Sequence, residues 1–190
     1  MISVTEYGFV PVNGFYYYSV ILHNNMHDMA VQYPEIRITA RDNEGGLISV
    51  DSQVMNVIYP DQDLVWAGLG GSVDVTPASI DVEFVEPTDN WHVVNPSRLE
   101  HSEYIPLEIK SARIKQDNWF PSIIGEIYNP NSYDLSMVAV TVVFRDSEGN
   151  MLAGDTGYIN SLKARKTAAF EINVSSELIT ESFEVYGQPW

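Results

Sequence analysis

Apolar and polar residues alternate along much of the chain, and they do so twice in the same way. Ile36, Ile38 and Ala40 alternate with Glu35, Arg37, Thr39 and Arg41, while Val138, Val140, Val142 and Phe144 alternate with Ala139, Thr141, Val143 and Arg145. A period of two with one apolar face predicts a half-buried β-strand. An earlier strand follows from Tyr18, Val20 and Leu22 against Ser19, Ile21 and His23, matched by Ile123, Gly125 and Ile127 against Ile124, Glu126 and Tyr128. Residues 34–48 align with 138–152 at a constant offset of 104, which superposes Arg41-Asp42 on Arg145-Asp146 and Glu44-Gly45 on Glu148-Gly149. Upstream the offset is 105, pairing Leu22-His23-Asn24 with Ile127-Tyr128-Asn129, so the intervening loop differs by one residue.

Turn chemistry punctuates the strands. Asp42-Asn43-Glu44-Gly45 and Asp146-Ser147-Glu148-Gly149 each put a side chain that bonds its own backbone first and a glycine fourth, a hairpin signature. Further strands are expected at Val54 to Ile58, Leu64 to Ala67 and Ile80 to Val85, answered by Thr156 to Leu162, Ala168 to Val174 and Phe183 to Tyr186. Ser175-Ser176-Glu177-Leu178 can start a single helical turn, and no other segment sustains helical spacing. Many short strands with turns every 8 to 12 residues predict an all-β fold of two tandem antiparallel β-sandwich domains. The expected boundaries are 1–86 for the first copy, 87–105 for a linker rich in Pro and Asn that carries Trp91, and 106–190 for the second.

The segment Gly125-Glu126-Ile127-Tyr128-Asn129, followed by Val140-Thr141-Val142-Val143-Phe144-Arg145-Asp146-Ser147-Glu148-Gly149, resembles the FxLYD-type domains of bacterial surface proteins and lipoproteins. The resemblance covers most of residues 107–173 and, more faintly, the first copy. Arg145 and Arg41 stand where that family usually has Tyr, and the first copy lacks the strand glycine. The resemblance implies an immunoglobulin-like form for each sandwich and export from the cytoplasm, with no catalytic residues to carry over.

Composition narrows the function. At 45% hydrophobic and 19% charged residues the chain is globular rather than disordered. The net charge is −16, with 13 acidic against 2 basic residues in 1–90 and 13 against 8 in 91–190. Only Lys163, Arg165 and Lys166 cluster, which argues against nucleic acid and against direct binding to an anionic membrane surface. There is no cysteine, so disulfides and thiolate chemistry are excluded. No stretch approaches the ~18 consecutive apolar residues of a spanning segment, so no direct membrane insertion is expected. Met1 leads straight into strand-like sequence. The chain is then either cytoplasmic or exported by a segment outside residues 1–190.

Four sets of residues are weighed for chemistry. His23 and His27 with Asp28 have metal-like spacing, but a strand end and an Asn-rich loop do not bring them to one helical face. Asp42, Glu44, Asp146 and Glu148 offer too few oxygens for calcium and fit hairpin turns instead. Gly68-Leu69-Gly70-Gly71-Ser72 leads into acidic, strand-like Val73-Asp74-Val75 rather than into a phosphate-binding helix. The remaining lead is aromatic. Tyr16, Tyr17 and Tyr18 form a run in which Tyr17 must oppose its neighbours, and Trp119-Phe120 precede the equivalent strand. Tyr16, Tyr17, Trp119 and Phe120 are therefore the candidate contacts for a protein or glycan partner, against the plainer reading of a core edge or a contact between copies.

No nucleophile elbow occurs, and neither catalysis, metal nor cofactor is expected. The expected function is that of a noncatalytic binding or spacer module of a bacterial surface protein or lipoprotein, held outside the cytoplasm or on a membrane through a segment beyond residues 1–190. The alternatives are a carbohydrate-binding or carbohydrate-active accessory domain and a cytoplasmic protein-interaction domain.

Overall fold

The computed structural model describes the chain except Asn13, Ser72 to Asp74, Asn90, Asp117 to Trp119 and Glu181. The first half comprises β1 (Ile2–Val12), β2 (Phe15–Asn24), β3 (Ala30–Gln32), β4 (Glu35–Arg41), β5 (Leu47–Val54), β6 (Val57–Ile58), β7 (Asp63–Leu69) and β8 (Ser79–Val85). After β9 (Val93–Val94) come β10 (Glu108–Lys115), β11 (Ser122–Tyr128), β12 (Leu135–Arg145), β13 (Met151–Leu162), β14 (Thr167–Asn173) and β15 (Ser182–Pro189). The described helical residues are two 3-10 turns, Pro96–Arg98 and Ser176–Leu178, the latter capped by the Ser175 hydroxyl where the sequence places a turn.

All strand pairs are antiparallel. In the first half β1-β2-β7 and β5-β4-β8 form two three-stranded sheets; in the second, β10-β11-β14 and β13-β12-β15 repeat that order strand for strand. A small β6-β3-β9 sheet closes one end of the first half. Each half buries its own apolar cluster. Tyr18, Val20 and Leu22 of β2 meet Ile36, Ile38 and Ala40 of β4, and Ile123 and Ile127 of β11 meet Val138, Val140, Val142 and Phe144 of β12. The inward stripes read from alternation are the buried ones.

The repeat extends to polar detail. The Asn24 carboxamide donates to the carbonyls of Met29, Ile58 and Tyr59 at 2.8, 3.3 and 3.1 Å and accepts the Met26 N–H. Asn129 donates to Tyr133, Leu162 and Lys163 at 2.9, 3.3 and 3.4 Å and accepts the Asn131 N–H. Both side chains are fully buried and tie a strand end to two loops. The offset between bonded partners changes from 105 to 104 between Met26 and Met29, which locates the extra residue of the first copy. The hairpins also coincide. Asp42 accepts the N–H groups of Glu44 and Gly46, Asp146 those of Glu148 and Asn150, and Gly45 and Gly149 take φ of 82° and 87°.

One expectation changes. The 54–58 strand is broken at Met55-Asn56, where β5 ends and the separate β6 begins. Within the 87–105 segment, described residues bond to both halves. Val93-Val94 pair with β3, the Tyr59 hydroxyl donates to the His101 carbonyl, and Asn131 exchanges two hydrogen bonds with the Ile105 backbone. The Tyr104 ring stacks on Tyr59 and the His101 ring on Tyr133.

Each buried carboxamide donates to three backbone carbonyls and accepts one backbone N–H, so its removal leaves buried polar groups short of a partner. Asn24→Ala and Asn129→Ala are each expected to lower the free energy of unfolding by about 3 kcal/mol, read from urea denaturation.

Candidate functional site

Tyr17, Ser19 and Ile21 of β2 point away from the first core, and they are covered by the second half. Ser19 is fully buried, its hydroxyl donating to the Leu152 carbonyl at 3.4 Å. Ile21 joins Val65, Val143 and Met151 in a third apolar cluster. Across from them β12 is buried from Val138 to Phe144 without a break, because its second face, Ala139, Thr141 and Val143, lies against the first half. The half-burial expected of this strand is therefore wrong, and the reason is the docking of one sheet on another.

Two features let the backbones approach. A Cβ on Gly8 would stand 2.1 Å from the Met151 carbonyl oxygen and 2.3 Å from that of Leu152, so only glycine fits there. The Thr156 hydroxyl donates to the Ala67 carbonyl at 2.7 Å, accepts the Ala67 N–H at 3.4 Å and shares a bond with the Thr141 hydroxyl. It thereby satisfies backbone groups of β7, an edge strand of its sheet.

The polar lock of the junction is Arg145. Its guanidinium donates to both carboxylate oxygens of Glu6, at 2.7 and 3.0 Å, to Glu184 at 2.9 Å and to the Gly149 carbonyl at 3.0 Å. Arg41, its counterpart, makes only the local pair of contacts, to Asp81 at 3.3 Å and the Gly45 carbonyl at 3.2 Å. The side chain of Arg145 is 16% exposed and that of Arg41 41%, so the bidentate bridge between halves is the less screened. Arg145 holds the Glu6 carboxyl below the usual range.

Repeat geometry also leaves one acid ill-placed. Asp51 accepts the Tyr16 hydroxyl at 2.6 Å, the Ser49 hydroxyl at 3.2 Å and the Gly71 N–H at 3.2 Å. In the second copy Pro121 stands at the Tyr16 position, and Asp155 accepts the Thr156 N–H at 2.8 Å. Burial pushes the Asp155 carboxyl up.

Beside the junction a cleft of about 400 Å³ opens between the halves, lined among others by Tyr59, Asp61, Asp63, Tyr104, Tyr186 and Gln188. Tyr104 contributes a buried hydroxyl that lies near the Leu107 backbone but outside hydrogen-bonding geometry. At its rim His23 and His27 each bond an aspartate, Asp63 at 2.7 Å and Asp61 at 2.6 Å. The two histidines thus go to separate partners, and among the described residues no three His, Asp or Glu side chains come together as a metal site.

The four candidate contacts fare differently. Tyr16 is fully buried in the first core, so it offers no contact surface; Gly70 lies under its ring, where a Cβ would come within 2.1 Å. Tyr17 faces the opposite way, as strand geometry requires, but packs against the second core instead of solvent. Phe120 is 68% exposed, and Trp119 lies outside the described residues. Gly70 and Gly71 serve Tyr16 and Asp51, Gly68 lies beside Tyr18 and Trp66, and Ser72 of that run lies outside the described residues. Sequence reasoning missed a second aromatic surface, the exposed Tyr33 and Trp91, whose rings lie 6.0 Å apart.

Two measurements check the junction. Arg145→Ala is expected to cost about 2 kcal/mol in urea unfolding, since it removes the cation shared by Glu6 and Glu184, whereas Arg41→Ala costs about 0.5 kcal/mol. Because Asp155 titrates higher in the fold than in the unfolded chain, its carboxylate destabilises the fold above that raised value and ceases to do so in acid. Asp155→Asn should therefore raise the melting temperature at neutral pH, with the gain vanishing as the pH falls into the ordinary carboxylate range.

No family model matches the chain, and no curated protein does. Among solved structures it is similar to Bacteroides uniformis β-glucuronidase 2, at 14% identity and a TM-score of 0.25 over 86% of this chain and 22% of that one. It is also similar to the N-terminal CBM22-1-CBM22-2 tandem domain of Paenibacillus barcinonensis Xyn10C, at 8% identity and a TM-score of 0.21 over 96% and 86% of the two chains. The chain spans about a fifth of the glucuronidase's length. At such scores neither overlap carries an assignment.

Proposed function

We propose that the chain is a noncatalytic pair of immunoglobulin-like β-sandwiches that acts as a stiff spacer and binding module of a bacterial surface protein or lipoprotein, outside the cytoplasm. The observation that carries this reading is the junction, where Gly8 lies against two carbonyls and Arg145 bridges Glu6 and Glu184. A contact of packed sheets, a bidentate ion pair and a threonine on an edge strand fixes orientation, which is what a spacer needs and a flexible tether lacks. Matching strand orders in the two halves support the tandem reading.

The noncatalytic part is supported by where the acids held below the usual carboxylate range are spent. Glu6 bonds Arg145, Asp134 bonds Lys163 and the Ala164 N–H, Asp146 closes a hairpin, and Glu171 bonds Lys115 and Ser122. Each is consumed by a structural partner rather than held ready for a proton. Export and surface attachment rest on the resemblance to FxLYD-type domains.

Nuclear spin relaxation of the whole chain tests the stiffness. One rotational correlation time common to both halves is expected, and two shorter ones would overturn the spacer reading. Fractionation of cells producing the full gene product tests the compartment, and recovery in the cytosol would remove the surface role.

A further inference from the structure

Tyr33 and Trp91 lie 58 positions apart in sequence but meet beside the small β6-β3-β9 sheet, one just after β3 and the other just before β9. They are 47% and 55% exposed, with ring centroids 6.0 Å apart and planes tilted by 56°. Neither ring is a loosely hung side chain. The Tyr33 N–H donates to the Asn56 carbonyl at 2.6 Å, and the residue is held at a φ of 51°, a conformation that a bulky side chain avoids unless its surroundings enforce it. Trp91 lies against the His92 ring at 3.6 Å, and His92 is clamped to Gln32 twice, by its carbonyl to the Gln32 N–H and by its Nδ1 to the Gln32 carbonyl.

Next to the rings is a depression of about 160 Å³ lined by Tyr33, Pro34, Glu35, Phe84, Glu86 and His92. Among the described residues neither Glu35 nor Glu86 has a salt-bridge partner, and the two basic residues of the first 90 pair with other acids, Arg37 with Glu83 and Arg41 with Asp81. Tilted ring faces with carboxylates at the rim attract a cation. Aromatic quadrupoles draw an ammonium or guanidinium lying within about 6 Å of a ring, and the acids add a Coulomb component. A flat sugar ring, by contrast, gains from coplanar platforms, and these two planes diverge.

We propose that Tyr33, Trp91, Glu35 and Glu86 form a docking site for a lysine or arginine side chain in a basic segment of a partner protein. The charge balance of the first half, 13 acids against 2 bases, guides such a segment towards the site over longer range. Rigid presentation of both rings lowers the ordering cost of binding.

The test is titration of the isotope-labelled whole chain with a short glycine–lysine peptide, its glycine–glutamate counterpart and a linear xylo-oligosaccharide, followed by amide shifts and tryptophan fluorescence. Shifts centred on Tyr33, Glu35, Trp91 and His92 are expected with the lysine peptide alone. Trp91→Ala should weaken that binding about tenfold and Glu86→Gln about threefold, with affinity falling as salt rises. Glu148→Gln, on the hairpin of the second half, should leave it unchanged. The two ring and acid substitutions are at the surface, and unchanged melting temperatures will confirm folding. Shifts spread evenly over the acidic surface, indifference to Trp91→Ala, or saturation by the oligosaccharide instead of the peptide would each overturn the proposal. Binding is read within the first half, so this outcome is independent of whether the two halves tumble as one body.

Discussion

The close approach of β1 and β2 to β13 is the constraint on which the rest of the molecule depends. Two halves that met only through long side chains would be free to slide, whereas here backbone touches backbone at Gly8, and the threonine and arginine contacts follow from that separation. The result is four sheets in succession, with two cores and a thinner apolar seam between the middle pair. Because packed interiors do not deform continuously, each half inherits an orientation as well as a position.

The contact runs head to tail, one type of sheet from the second copy against the other type from the first. An interface of that kind can in principle repeat without end. The divergence of the copies stops it. On the docked face of β12 stand Ala139, Thr141 and Val143, and at the same positions of the free first copy stand Glu35, Arg37 and Thr39. On the other side Gly8, Ser19, Ile21 and Ala67 are docked, while by ladder position Arg113, Ile124, Glu126 and Glu171 occupy the free face of the second copy. Charged outer faces serve as caps, as they do at the ends of repeat arrays.

Much of this was legible in the sequence, and the boundary of legibility has a physical cause. Alternation at 36–40 and 138–144 reveals the strands and their inward faces because burial against the core of one half is a local property of a strand. The Asp-x-Glu-Gly turns were readable for the same reason. The junction was not, since it depends on which outward face meets which, although the run from Val138 to Phe144, interrupted only by Thr141, is the composition of a strand covered on both sides. Tyr16 was misjudged because a tyrosine run looks the same whether a glycine lies beneath it or not; Gly70 decides the matter from 54 residues away. The Tyr33 and Trp91 pair lay beyond reach altogether, for one sits in a turn and the other in a segment with no periodicity.

The seam has a consequence during synthesis. Residues 1–105 leave the ribosome before β12 and β13 exist, so in that interval Ile21, Val65 and the bare margin of β7 have nothing to cover them. Nascent chains on neighbouring ribosomes carry identical margins, and pairing between them is the hazard of any uncovered strand. The surplus of acid in the first half opposes such encounters by like-charge repulsion.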